Sequence, residues 1–191
     1  MKVSIKIIGF ITVLIANALS ADELQNQMAA LKSEMEQVKQ VLEQKLAVAE
    51  KDYAEWSKKS KEDFEQRFKA GQAKGIGYLP STDKEYADYK AFQKVTGFRN
   101  GLRVVNDTLN KLIDRIAIPH QNLTKVNWET GFVNPFAAAI RKLQHGKEFQ
   151  EEAASRDRVY DGANYKGVVE ALELGLGYLQ PLLAKAQSIV Q

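Results

Sequence analysis

The chain has 191 residues, no cysteine, and 27 basic against 24 acidic residues, a formal charge of +3 at pH 7. Without thiols there are no disulfides and no thiolate metal ligands. A nearly balanced charge with no basic segment argues against nucleic acid as a partner, which demands phosphate neutralisation.

The first twenty residues have the layout of an address. Lys2 and Lys6 precede an apolar run from Ile7 to Leu19, broken only by Gly9, Thr12 and Asn17, which meets Ala18-Leu19-Ser20. The run is shorter than the ~20 residues that span a bilayer core. A positive start, an apolar middle and small-x-small before the cut describe a secretory signal peptide, residues 1–20. Cleavage after Ser20 removes Lys2 and Lys6 and no acid, so 27 basic residues become 25 against 24 in a mature chain of 171. The expectation is a secreted protein, extracellular or periplasmic, with no stable membrane anchor after cleavage. Such a chain can bury a core without covalent staples.

Residues 22 to about 70 read as one helix without Gly or Pro. Leu24, Met28, Leu31, Met35, Val38 and Leu42 are spaced alternately four and three apart, the seam of a coiled coil. Leu46 follows Leu42 by four, a stutter, and Ala49, Tyr53 and Trp56 then resume the alternation. About 50 residues of helix span roughly 75 Å, more than a small bundle should cover. The whole seam from Leu24 to Trp56, with Leu46 and Tyr53, is therefore expected to meet a partner protein or a second copy. Further on, the rings of Phe64 and Phe68 fall at helical spacing and read as core or partner contact.

"AGQAKGIGYLP" ends this helix, so residues 21–74 form one unit. Its glycines suit a left-handed cap, and Pro80 prevents resumption. A phosphate loop would need its glycines after a strand and before Lys-Ser/Thr, an order absent here. Thr82 and Glu85 make a capping box, opening a helix with Tyr86, Tyr89, Phe92 and Val95 that pauses at Thr96-Gly97. Leu102, Val105, Leu109, Leu112, Ile113 and Ile116 continue it as an amphipathic helix that stops before Pro119. Residues 119–134 read as a long loop, extended near Lys125 to Trp128. Asn134-Pro135 then starts a helix through Phe136, Ile140 and Leu143. After a polar break at Asp161-Gly162, Asn164 caps the last helix.

That helix confines its polar residues to one stripe, Lys166, Glu170, Glu173, Gln180 and Gln187. Apolar on most of its circumference, it belongs at the centre of a bundle or against an apolar partner. Ala171 and Gly175, four apart, permit close approach of another helix, and Gly177 with Pro181 suggests a bend.

No catalytic, metal or cofactor site is legible. His120 has no nearby carboxylate in sequence. His145, Glu148 and Glu152 share a helical face, but such a triplet is common on any charged face. There is no Gly-x-Ser-x-Gly elbow. Two sequons, at Asn106 and Asn122, decide nothing. The expected fold is all-α, a long N-terminal coiled-coil-like helix plus a compact helical bundle within 81–191. The expected function is non-enzymatic, an exported protein that binds a protein partner or itself through the N-terminal seam. The alternative is a carrier of a lipid or other apolar small molecule. Leu172, Leu176, Leu179 and Leu183 would line its site, with Trp128 and Phe132 as a lid.

Overall fold

A computed structural model describes residues 21–76, 82–116, 125–157 and 162–189. The signal-peptide reading of residues 1–20, His120 and the Asn122 sequon lie outside them. The fold is all-α, with no strand among the described residues. Helix α1 spans Ala21–Ala73, α2 Asp83–Ile116, α3 the single turn Lys125–Trp128, α4 Asn134–Arg156 and α5 Ala163–Ser188.

Helix α1 runs 53 residues unbroken, because its sequence holds no Pro and no Gly before Gly71, and its face from Leu24 to Ala49 is apolar. It ends on Gly75, which at φ +70° takes the left-handed conformation that the preceding glycine-rich stretch anticipates. The Ile76 N–H donates to the Gly71 carbonyl (3.1 Å) and the Gly75 N–H to that of Gln72 (3.0 Å), satisfying two orphan carbonyls.

The capping box of α2 is also present. The Glu85 N–H donates to the Thr82 hydroxyl oxygen (3.3 Å), and the Thr82 N–H donates to the Glu85 carboxylate (2.6 Å). That backbone hydrogen bond holds the Glu85 carboxyl below its ordinary range, helped by the Thr82 hydroxyl bond and the Arg67 charge and opposed by desolvation. A depressed carboxyl stabilises the fold above its unfolded pKa, and the support disappears as pH falls through the folded value. The first turn of α2 should therefore fray in acid, seen as loss of the Glu85 and Tyr86 amide shifts in NMR spectra. Glu85→Gln should abolish that pH dependence, and an unchanged acid response would refute the assignment.

Helix α2 does not pause at Thr96-Gly97 but continues to Ile116. The reason is tertiary. Gly97 and Gly101 on α2 face Gly167, Ala171 and Gly175 on α5, letting the two backbones approach closely. A Cβ on Gly97 would overlap the Asn164 carbonyl, and one on Gly101 would lie 2.6 Å from the Ala171 Cβ. The pairing of 97 with 164, 101 with 171 and 105 with 175 makes α2 and α5 parallel, the most extensive helix contact among the described residues. Asn164 does not cap α5. Gly162 precedes that helix in the left-handed conformation, and the Asn164 amide donates instead to the Gln93 carbonyl at 3.3 Å.

Residues 125–133, expected as loop, are helical. After α3 the chain makes one wide π-helical turn, Glu129–Val133, and passes directly into α4. Asn134 thus opens α4 next to Pro135 but does not cap it: its backbone is already helical and its N–H donates to the Glu129 carbonyl, five residues back. The wider turn relieves the crowding that the Pro135 ring would impose on the carbonyl four residues before it. Burial drives the segment helical: Trp128, Phe132 and Phe136, spaced four apart, are all at most 1 % exposed.

Helix α5 is the centre of the bundle. It touches α1, α2 and α4, whereas α1 and α4 do not touch among the described residues. It runs on through Pro181, with Gln180 and Gln187 on its exposed stripe. Helix α4 is antiparallel to it, joined by Lys147 to Glu173 at 2.9 Å. Helix α1 is antiparallel to both α2 and α5, with Arg103 on Glu50 at 2.5 Å and Lys185 paired to Glu34. These exposed pairs contribute at most about 1 kcal/mol each and chiefly mark register.

Candidate functional site

The seam assigned to a partner is filled from within. Leu24, Met28, Leu31, Met35 and Leu42 are 0–8 % exposed, and Val38 and Leu46 pack against the same cluster. The expectation that a small bundle leaves this seam uncovered is corrected. Helices α2 and α5, of 34 and 26 residues, are roughly 50 and 40 Å long and shield the first half of α1. Only the end of the seam is partly open. Tyr53 stacks on Phe92 with centroids 5.5 Å apart and carries the Arg99 guanidinium 3.5 Å above its ring, while Lys59 lies 4.6 Å from the Trp56 ring.

The residues suggested for an apolar ligand are core. Trp128 is 1 % and Phe132 0 % exposed. Their rings stack at 4.6 Å, and the Trp128 indole N–H donates to the Ala186 carbonyl at 2.9 Å. A side chain tied to α5 in this way is a strut rather than a lid. Leu172, Leu176 and Leu179 are buried and Leu183 packs beside them. His145 Nδ1 lies 3.2 Å from Glu148, whereas Glu152 pairs with Arg156, so the triplet does not converge. No group of three His, Asp or Glu suited to a metal occurs among the described residues. Asn106 is 9 % exposed inside α2, so its sequon is not presented by the folded chain.

Exposure points elsewhere. Helix α5 begins level with Gln93 of α2, where Asn164 bonds, and α1 reaches that level near Tyr53. Beyond it, among the described residues, α1 runs beside only the first turns of α2, held by Lys59 to Asp88 at 2.7 Å and Arg67 to Glu85 at 3.4 Å. This two-helix extension carries half of the ten large apolar side chains that are exposed among the described residues: Phe64 56 %, Phe68 43 %, Ile76 58 %, Tyr86 40 % and Tyr89 37 %. Phe64 and Phe68 stack in parallel, centroids 6.4 Å apart. Among them run charges of both signs, with Lys58 and Glu62 paired at 3.9 Å. Periodicity had marked Phe64 and Phe68 as contact residues. Their prominence was hidden, because it depends on where α5 starts.

A second apolar surface lies where α1, α2 and α5 meet, a groove of about 600 Å³. Val41, Val48, Val95 and Phe98 line it, and Lys94 bridges to Glu170 at 2.6 Å across its edge. No helix among the described residues is long and apolar enough to cross a membrane. Compared with models of known protein families, with curated proteins and with solved structures, the chain matches none.

Proposed function

We propose that the protein is an exported, non-enzymatic interaction protein that self-associates through the distal part of its N-terminal helix. The supporting observation is the set of exposed aromatic rings, Phe64, Phe68, Tyr86 and Tyr89, on a two-helix extension. Contiguous exposed apolar surface on a folded chain marks an interaction site. An aromatic ring buries about 150–250 Å² when fully covered. Four half-exposed rings thus supply about half of the ~800 Å² that each partner of a stable pair contributes. A second copy is the favoured occupant because Lys58, Lys61 and Lys69 flank Glu62 and Glu65 along the same stretch. An isologous contact requires a surface that complements itself, and interspersed charge of both signs meets that requirement. Export is supported by the layout of residues 1–20.

Native mass spectrometry on protein recovered from a secreting host tests the reading. The expected species is a dimer whose chain begins at Ala21. Phe64→Glu combined with Phe68→Glu should yield a monomer of unchanged helicity, since both side chains are exposed. A wild-type monomer at high concentration would refute self-association, and a retained Met1 would refute export by cleavage.

A further inference from the structure

We propose that the groove between α2 and α4 receives an acidic amphipathic helix from a partner protein. Both helices pack on α5 but barely on each other, and between them lies an open groove of about 980 Å³. Its floor is apolar: Leu112 and Leu143, each 4 % exposed, with Ala139 beside them, while Val104 stands on the rim at 52 %. Lys111 and Arg115 on α2 and Lys142 on α4 edge the groove, against one acid, Asp114.

None of these three cations forms an ion pair among the described residues. Other cations beside helix contacts are matched, Lys94 by Glu170, Lys147 by Glu173 and Lys185 by Glu34. Three unmatched cations above an apolar floor complement a helix with an apolar stripe flanked by carboxylates. The stretch from Val104 to Arg115 is about three turns, roughly 16 Å, which suits one short helix laid along α2. A flat anionic bilayer would meet the cations but could not reach Leu112 and Leu143. The groove lies at the opposite end of α2 from the aromatic extension, so it does not depend on self-association.

The probe is a fluorescein-labelled synthetic peptide of about four helical turns, with leucines three and four apart and glutamates on both flanks. Its twin carries lysine in place of every glutamate. Anisotropy should report binding of the acidic peptide only, weakened about tenfold or more in Lys111→Glu/Lys142→Glu. Val104→Asp, also on the surface, should weaken it too, and added salt should reduce it as the charges are screened. Failure of the acidic peptide to bind, equal binding of the lysine twin, or full affinity in the double variant would each overturn the proposal. So would retention on phosphatidylserine–phosphatidylcholine vesicles with no peptide binding, which would assign the cations to a membrane surface.

Discussion

Gly97→Ala is expected to destabilise the protein by about 3 kcal/mol, the reverse of what helix propensity predicts. In an open helix the change would gain about 1 kcal/mol. Here the added methyl would overlap the Asn164 carbonyl and approach the Val168 nitrogen at 3.1 Å. Those are backbone atoms of α5, and they cannot rotate away as a side chain would. Helix α5 must shift as a body, disturbing its contacts with α1 and α4 as well. Gly167→Ala should behave alike, since its Cβ would sit 2.7 Å from the Phe98 nitrogen. Gly177 in the same helix α5 is the control. Nothing lies within 4 Å of its notional Cβ, so Gly177→Ala should stabilise by about 1 kcal/mol. In thermal melts the two signs should separate the variants by on the order of 10 °C. Equal melting temperatures would refute the close α2–α5 approach.

Leu31→Lys together with Leu42→Lys should unfold the protein rather than merely dissociate it. The two leucines are 1 % and 0 % exposed. Each change empties a packed site and places an ammonium there, at about 4 kcal/mol or more. Two such losses approach the whole stability of a typical domain, about 5–15 kcal/mol. Circular dichroism should show the cooperative transition lost, with residual helicity well below that of the native chain. A variant that keeps its helicity and melting temperature but loses only its oligomeric mass would return the seam to a partner interface. With Phe64→Glu/Phe68→Glu, the pair of experiments separates the two halves of α1: one holds the fold, the other extends past it.

Much of this fold is legible in local sequence. The 4-3 spacing from Leu24 to Leu42 identifies the buried face of α1, the glycines after Ala70 include its left-handed cap, and Thr82 with Glu85 marks where α2 opens. Each signal acts within a turn or two of helix, where the residues that decide the structure are neighbours in the chain. The narrow polar stripe of α5 likewise predicts a helix surrounded by others, and Ala171 with Gly175 predicts close approach.

The misreadings lie where distant residues decide. Trp128 and Phe132 sit among Asn, Thr, Gly and β-branched residues that locally favour a loop, yet packing against α5 and the bond to the Ala186 carbonyl make them helical struts. Asn164 has the chemistry of a cap but is drawn to Gln93, 71 positions away. By itself the sequence determined an all-α chain, the end of α1, the start of α2 and the apolar faces of α1 and α5, because these depend on propensity and periodicity. Only the tertiary structure decided what covers each face. The seam of α1 meets the chain's own α2 and α5, while Phe64, Phe68 and the α2–α4 groove stay open, because coverage depends on where the other helices begin and end in space.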